Sequence, residues 1–198
     1  MSDSLITKNA IANSIKELME KKDLRKISVA DIVQNCGINR QTFYYHFKDK
    51  YDLINWIFYS EVVTSVTRRE KYSDWSEAML DVLNVMKDEQ RFYTGALNLT
   101  GQNAFQDYFF EVTKTLVREL IDSLSEERGM EEKDKNFIAE FYTYGLVGIV
   151  MAWARGGMKE PPRELVGRLK YFVEDSKRFA AERYLKDAAG PKPGTPSA

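Results

Sequence analysis

The placement of proline limits what this chain can fold into more than any other feature. All five prolines lie after residue 160, so the preceding stretch contains none. Proline breaks helices because it lacks a backbone N–H and its ring clashes with the preceding turn. The proline-free stretch also has no run of alternating β-branched residues and no Asn-Gly or Asp-Gly pair, which are the usual signs of strands and hairpins. The sequence therefore predicts an all-α fold of about nine helices.

Length and composition exclude several classes of protein. A chain of 198 residues with 43% apolar and 30% charged residues is typical of a globular protein and not of a disordered one. A single cysteine, Cys36, excludes an intrachain disulfide and is typical of a reducing compartment, so we expect a cytoplasmic protein. Its simplest interpretation is a small buried side chain, and the alternative is a redox switch. No basic segment followed by an apolar stretch opens the chain, so we expect no secretory signal.

Residues 27–53 carry the strongest functional pattern. Ser28, Asn39 and Asp49 each stand where they can cap the helix that follows, and Ser28-Val29-Ala30-Asp31 resembles a capping box. Gly37 ends the first of these helices. Two short helices joined by a turn that contains glycine have the spacing of a helix-turn-helix.

The second short helix of this pattern has one apolar side and one polar side. Phe43 and Phe47 are four residues apart, so both are predicted to face inward. The side chains turned outward or flanking that outer face are Arg40, Gln41, Thr42, Tyr44, Tyr45 and His46. The DNA major groove admits an α-helix, where Arg and Gln can bind base edges and hydroxyl groups can bind phosphates. The alternative is that the two tyrosines are plain surface aromatics.

This stretch resembles the DNA-binding signature of the TetR/AcrR transcriptional regulators. The resemblance covers about residues 4–55 and rests on the order and spacing of residues 28–53, with the sequence TFYYHFKDK at its centre. The roles it implies are base contacts for Arg40 and Gln41, a thymine-methyl or phosphate contact for Thr42, and DNA-backbone contacts for Ser28, Tyr44, Tyr45, His46 and Lys50. Val33 departs from the pattern, because the family usually has Ala where the two helices cross.

The remainder of the chain resembles a C-terminal domain found in DhaS-like regulators, which are similar to an activator of dihydroxyacetone kinase genes. The segments that carry this resemblance are Asp74-Trp75, Phe92-Tyr93, Thr100 to Phe105, Trp153 to Met158, and Pro162. We expect a DNA-binding domain over 1–50, a regulatory ligand-binding and dimerisation domain over 51–185, and a disordered tail over 186–198.

The aromatic residues of the C-terminal region are either ordinary core or the lining of a cavity for a small, partly apolar effector. For a cavity, the predicted lining residues are Trp75, Phe105, Tyr108, Phe109, Phe141 and Tyr144. Gln102 and Asn103 either add polar contacts to such a cavity or cap a helix.

Two late helices, predicted over about 136–155 and 162–185, are suited to a homodimer interface. The first has no charge from Phe141 to Ala154, which makes it too apolar to face water and too short to span a membrane, where about 20 residues are needed. The predicted interface residues are Leu146, Ile149, Trp153, Leu165, Leu169 and Phe172. The alternative is that both helices pack only within one chain.

These observations predict a homodimer that binds a palindromic operator in double-stranded DNA, responds to a small-molecule effector and acts as a repressor. Residues 1–50 hold nine Lys or Arg and six Asp or Glu, a net +3 that favours DNA, whereas the rest of the chain is net −4. The alternative is a co-activator that works through a partner regulator. With one His and no metal-ligand cluster, phosphate loop or nucleophile motif, we expect no enzyme, cofactor or metal, and no membrane partner.

Overall fold

The computed structural model describes residues 3–64, 66, 74–99, 105–125 and 130–188. Within these ranges all regular structure is helical, so the predicted all-α fold is confirmed. The α-helices are α1 (Asp3–Met19), α2 (Val29–Asn35), α3 (Arg40–His46), α4 (Lys50–Phe58), α5 (Trp75–Asp88), α6 (Gln90–Leu97), α7 (Phe105–Ser125), α8 (Glu132–Arg155) and α9 (Pro162–Ala188). A 3-10 turn over Leu24–Lys26 precedes α2, and a π-helical turn over Tyr59–Val63 continues α4.

The chain divides into two compact units, of which the first ends at Lys159 and the second begins at Glu160. The first unit contains α1 to α8 and the second contains α9. The last helix reaches Ala188, so its end lies beyond the predicted position at about residue 185. Gln102 and Asn103 lie outside the described residues, and so do residues 189–198 of the predicted tail. The domain boundaries over 1–50, 51–185 and 186–198 stay predictions.

The first helix forms the base on which α2 and α3 are built. Ile11 and Ile15 of α1 are fully buried, as is Ile32 of α2. The buried Ser14 hydroxyl donates to the Ile32 carbonyl oxygen at 2.8 Å, and the Asn35 amide donates to the Ser14 oxygen at 3.2 Å. A buried hydroxyl without a partner is costly, so these bonds fix the side of α1 against which α2 packs.

The π-helical turn interrupts a helix that the sequence pattern would extend without a break. The Thr64 backbone N–H and hydroxyl both bond to the Tyr59 carbonyl oxygen, five residues earlier, the hydroxyl at 2.9 Å. Such a turn holds one more residue than an α-helical turn does. Val62 and Val63 are buried, so the wider turn is part of the packed interior.

Phe58, the last residue of α4, is the centre of an aromatic cluster. Its ring lies edge-on to those of Tyr93, Phe105, Tyr108 and Phe109, with centroid distances of 5.4 to 6.3 Å. Edge-to-face pairs are favourable because the positive ring edge meets the negative ring face. The cluster therefore joins α4 to α6 and α7.

Two apolar faces run along α8. The inner face packs towards α6 and α7 and consists of Ala139, Thr143, Val147, Val150 and Ala154. The outer face is exposed and carries Phe137, Phe141 and Ile149, and the exposed Tyr144 lies at its edge with its ring centroid 4.9 Å from that of Phe110 in α7. Most of the inner side chains are small, and the buried Trp153 is the large exception near the end of the helix.

By length and composition, α8 is long and apolar enough to cross a membrane. The helix has 24 residues, and its most apolar stretch has a mean hydropathy of 1.4. The charge-free stretch from Phe141 to Ala154 is thus part of a longer apolar helix. A core helix of a soluble protein has the same properties, and α8 has a buried face that packs on α7.

Candidate nucleic-acid interface and sensor region

Reciprocal hydrogen bonds between Ser28 and Asp31 close the start of α2. The Asp31 N–H donates to Ser28 Oγ at 3.2 Å, and the Asp31 carboxylate accepts from the Ser28 N–H at 2.8 Å and from its hydroxyl at 2.6 Å. These bonds, with Lys22 Nζ at 3.0 Å, hold the pKa of the Asp31 carboxyl well below its usual range. The predicted capping box is confirmed. A phosphate bond from the Ser28 hydroxyl would require it to leave this carboxylate.

The turn between α2 and α3 needs one glycine and accommodates one enlarged side chain. Gly37 has φ +70°, a conformation that residues with a Cβ rarely adopt. Val33, at the position where the family usually has Ala, is 7% exposed, and its carbonyl accepts from the Ile38 N–H at 3.0 Å. Cys36 is half-buried with its Sγ 3.2 Å from the Ile32 carbonyl oxygen. Each of these residues therefore has a structural role in the turn.

The orientation of α3 is set at its start and on its inner side. Asn39 Oδ1 accepts from the Thr42 N–H at 2.7 Å and from its hydroxyl at 3.0 Å, which confirms the predicted cap. Phe43 and Phe47 are 0% and 2% exposed, with ring centroids 5.9 Å apart, so both face inward as predicted. The opposite side of α3 is consequently turned to solvent.

Six of the eight predicted DNA-contact residues lie together on this short helix. Arg40, Gln41, Tyr44 and Tyr45 are exposed, and Thr42 and His46 are half-buried. Tyr45 is 82% exposed and its ring lies edge-on to that of His46 at 4.9 Å. Large aromatic side chains at such exposure, beside an Arg and a Gln, form a surface suited to bases and phosphates.

Lys50, the first residue of α4, directs its ammonium group towards the protein backbone. Its Nζ donates to the carbonyl oxygens of Leu24 at 2.9 Å and Ile27 at 2.8 Å, and the Arg25 carbonyl oxygen is 3.4 Å away. Burial lowers the pKa of the Lys50 ammonium, and the negative charge of Asp23 opposes that shift. Sequence reasoning missed these bonds. Direct phosphate contact would require Lys50 to release at least one of them.

An ionic junction that the sequence did not predict joins α1 to the π-helical turn and to α6. Lys16 Nζ lies 2.6 Å from Glu61 Oε1 and 3.0 Å from Glu89 Oε1, and 5.6 Å from the Phe92 ring centroid. The Tyr93 hydroxyl donates to Glu61 Oε2 at 3.4 Å. Burial, together with the charge of Glu61, raises the pKa of Tyr93 well above its usual value.

The six predicted pocket residues lie in separate places. Phe105, Tyr108 and Phe109 pack around Phe58, whereas Phe141 and Tyr144 are exposed on α8 and Trp75 is half-buried at the start of α5. The structure thus brings three of the six together in a packed cluster. For Phe141 and Tyr144 the reason is that helical periodicity does not predict which of the two apolar faces of α8 turns inward.

A surface cleft of about 520 Å³ lies near the ionic junction, and most of the residues that border it have polar or charged side chains. It is bordered by Glu20, Lys87, Asp88, Glu89, Gln90, Arg91, Thr94 and Gly157. Lys87 Nζ donates to the Met158 carbonyl oxygen at 2.8 Å, and the Gln90 amide donates to that of Gly157 at 2.9 Å. These bonds tie the chain that follows α8 to the region where α5 meets α6.

The predicted dimer residues differ in how much surface they expose. Phe172 and Ile149 are 59% and 38% exposed, Leu146 is half-buried, and Trp153, Leu165 and Leu169 are buried. The three buried residues have little surface to offer a second copy. Phe137, Phe141 and Tyr144, which the sequence does not assign to the interface, are 60% to 70% exposed.

Comparison with known proteins identifies both parts of the chain. Residues 11–57 match the family described as bacterial regulatory proteins, tetR family, and residues 73–175 match a transcriptional regulator C-terminal region. The HTH-type dhaKLM operon transcriptional activator DhaS of Lactococcus lactis subsp. lactis is 36% identical over 93 residues. That alignment covers 47% of this chain and only 50% of the relative's length.

Two solved structures share the fold. The dihydroxyacetone kinase operon activator DhaS superposes with a TM-score of 0.72 at 23% identity, over 88% of this chain and 98% of that one. Native NalD, the secondary repressor of the MexAB-OprM multidrug efflux pump in Pseudomonas aeruginosa, superposes with a TM-score of 0.51 at 18% identity, over 84% and 94%. With one family match at the helix-turn-helix and another across more than half of the sequence, the chain belongs to the TetR family of bacterial transcriptional regulators.

Proposed function

We propose that the protein is a transcriptional regulator that binds a palindromic operator as a homodimer and that α3 is its recognition helix. The observation that carries this proposal is the outer side of α3, where Arg40, Gln41 and Tyr45 are exposed while Phe43 fixes the helix from within. Arg and Gln can discriminate bases, and the tyrosines reach the flanking phosphates.

The outer face of α8 supports the proposed homodimer. It exposes Phe141 and Tyr144, and a methyl group added at Gly145 or Gly148 would meet no atom of the chain within 4 Å. Small residues flanked by large apolar ones allow a second helix to approach closely. Regulators of this family bind DNA and dimerise. We therefore place the second copy on this face, with Ile149 contributing to it.

A two-fold dimer sets the geometry of the operator. Its two recognition helices would enter major grooves about 34–36 Å apart, one turn of the double helix. The proposed effector acts by favouring a conformation in which this spacing differs. It can do so only if its affinity differs between the two conformations. Phe58, the centre of the aromatic cluster, is the last residue of α4. Helix α4 connects the helix-turn-helix to the remainder of the first unit.

For the sign of regulation we propose repression. A dimer bound to an operator excludes other proteins from the same DNA, and repression by exclusion requires no further protein surface. The second candidate is a co-activator that works with a partner regulator, and it is favoured by the 36% identity to a relative named as a transcriptional activator. Purified protein that shifts its promoter DNA alone supports the first candidate, and a shift that requires another protein supports the second.

Regulators of this family are typically non-enzymatic, soluble and cytoplasmic. We propose the same for this chain, with no cofactor and no membrane partner. Its only histidine, His46, lies on the proposed recognition helix, with its ring edge-on to that of Tyr45.

The test is a footprint on the intergenic DNA beside the gene. Purified protein should protect two half-sites whose centres are about 10 base pairs apart, and Tyr45→Ala protein of the same fold should not protect them at equal concentration. A folded dimer that binds none of this DNA would contradict the proposal.

A further inference from the structure

We propose that the surface cleft beside the start of α6 binds a small hydroxylated anion, such as a sugar acid or a sugar phosphate, and that this molecule is the effector. The binding itself is independent of the proposed function, whereas the effector role rests on it. The site differs from the aromatic cavity expected from the sequence, because its ligand is polar and its border lies partly on the residue that follows α1.

The cleft has the volume and the borders of a small-molecule site. Its volume of about 520 Å³ lies within the range of roughly 300–1,000 Å³ that such sites occupy. Its border comes from three parts of the chain: Glu20, which follows α1, residues of the α5–α6 corner, and Gly157, which follows α8. Most small-molecule sites are lined by apolar side chains, whereas this border is largely polar or charged. The ligand that it fits is therefore polar.

Two cationic side chains on the border favour an anionic ligand. Lys87 is half-buried, and its Nζ donates to Gln90 Oε1 at 3.1 Å and to the Met158 carbonyl oxygen at 2.8 Å. Both acceptors are neutral, and they use two of the three N–H donors of a lysine. Arg91 is exposed and lies 3.5 Å from the Glu20 carboxylate, a long distance for a hydrogen bond. A carboxylate or phosphate group would give both cations a charge-assisted partner.

The start of α6 adds to this positive region. Glu89, the residue before α6, makes no capping bond with its side chain, and its Oε1 accepts from Lys16 Nζ at 3.0 Å. The first N–H groups of a helix lack partners within the helix and, together with the helix dipole, attract anions. A helix start next to Lys87 and Arg91 therefore favours the same kind of ligand as the two cations do.

The carboxylates on the border limit the ligand to one anionic group. Glu20, Asp88 and Glu89 all border the cleft. They would repel a second anionic group, whereas hydroxyl groups can donate to their oxygens. The ligand therefore carries its charge at the end that meets Lys87 and Arg91, and hydroxyl groups along the rest of its length.

A buried hydroxyl on the same border has no partner among the described residues. Thr94 is half-buried and borders the cleft, but its Oγ1 is buried and forms no hydrogen bond there. Such a group costs stability, and no hydrogen bond holds the side chain in its rotamer. Rotation to the next staggered position can exchange the hydroxyl and the methyl group of a threonine. The methyl group then takes the buried place, and the hydroxyl is free to bind the ligand.

An anion in the cleft would compete for contacts that join α6 to two other helices. Arg91 of α6 pairs with Glu20, which follows α1, and α1 is the base of the helix-turn-helix. The Gln90 amide donates to the Gly157 carbonyl oxygen at 2.9 Å and so joins α6 to the turn after α8. A ligand that takes Arg91 from Glu20 favours conformations in which α1 is held less closely to α6. Operator affinity would then depend on the ligand concentration.

Binding to the cleft can be measured without DNA. Calorimetric titration of the wild-type protein with gluconate, glucose 6-phosphate and uncharged glucose tests the site, and at least one of the two anions should bind with a Kd of about 1 mM or below. Glucose should bind about tenfold more weakly or worse, because it lacks the charge that Lys87 and Arg91 bind. The anion that binds identifies the charged group as a carboxylate or a phosphate.

Two substitutions and one control distinguish the cleft from the rest of the surface. Arg91→Met should weaken binding of the anion about tenfold. Thr94→Val should weaken it about fivefold without lowering the Tm of the ligand-free protein, because the hydroxyl has no partner among the described residues. Lys159→Met is the matched control, since Lys159 is an exposed cation two residues after Gly157 and outside the border of the cleft. Its affinity for the anion should equal that of the wild type.

Operator binding with and without the anion, at equal ionic strength, tests the effector role. A saturating concentration should change the operator affinity of the wild-type protein about fivefold or more, and that of Arg91→Met by less. The proposal is overturned if neither anion binds, if glucose binds as tightly as the anions, or if Arg91→Met binds them as tightly as the wild type. An anion that binds and leaves operator affinity unchanged would overturn the effector role. If the protein binds the anion but no operator DNA, the proposed function fails and the site stands.

Discussion

Replacing Lys16 tests whether the ionic junction holds α1 to the π-helical turn and to α6. Lys16→Met keeps the apolar stem and removes the ammonium group, which bonds to Glu61 and Glu89 and lies 5.6 Å from the Phe92 ring centroid. The Lys16 side chain is 14% exposed, whereas those of Glu61 and Glu89 are 33% and 42% exposed. Solvent therefore screens the two carboxylates in part, and the contribution lies between that of a surface pair and that of a buried one.

The expected loss of unfolding free energy is about 2 kcal/mol, the range for hydrogen bonds to a charged group. For a chain of this size that corresponds to a drop in Tm of roughly 4–8 °C. The matched control is Arg91→Met, because Arg91 lies 3.5 Å from Glu20 with both side chains at least 60% exposed. Such a pair contributes about 0.5 kcal/mol or less.

Urea unfolding followed by circular dichroism at fixed protein concentration measures both losses. A double-mutant cycle with Glu61→Gln isolates the Lys16–Glu61 pair, and we expect a coupling of about 1 kcal/mol. The reasoning is refuted if Lys16→Met destabilises the protein no more than Arg91→Met does. It is also refuted if the cycle gives no coupling, since the 2.6 Å contact would then contribute nothing.

Three further predictions concern DNA binding, pH and assembly. Tyr45→Ala should weaken binding to all DNA sequences, whereas Gln41→Ala should relax discrimination at one operator position by about 1–3 kcal/mol, and binding to a panel of single-base operator variants distinguishes the two. Tyr93 is buried and its pKa is raised, so its neutral form stabilises the fold below pH 10 and this stability is lost as the pH rises further. In Tyr93→Phe the unfolding free energy should therefore fall less steeply above pH 10 than in the wild type. Equal slopes in the two proteins would contradict this. Phe141→Glu should convert the dimer to a folded monomer in sedimentation, and a variant that still dimerises would place the interface elsewhere.

The helix-turn-helix could be predicted because its determinants are local. Ser28, Asn39 and Asp49 cap helices that begin at the next residue, and each cap depends on atoms two or three residues away. Phe43 in α3 and Phe47, which caps the end of that helix, are four residues apart and therefore lie on the same, inward side. Exposure of the tyrosines follows from the same geometry.

The rest depends on contacts between residues far apart in the chain. Lys50 bonds to carbonyl groups 23 to 26 residues before it, and Lys16 bonds to a carboxylate 73 residues after it. No spacing rule relates such positions. On α8 the apolar pattern is nearly continuous, so hydrophobicity alone does not predict which of its faces turns towards α7.

The π-helical turn over Tyr59–Val63 lets the helix that begins as α4 contain one residue more than regular α-helical geometry would hold. An α-helix advances about 100° per residue, so an extra residue in a regular helix would turn everything beyond it to another face. Because the wider turn absorbs the extra residue, the residues before and after it keep nearly the same faces. Insertions and deletions are usually confined to loops, but here the deletion of one residue within the turn would restore regular geometry without re-aiming the helix-turn-helix.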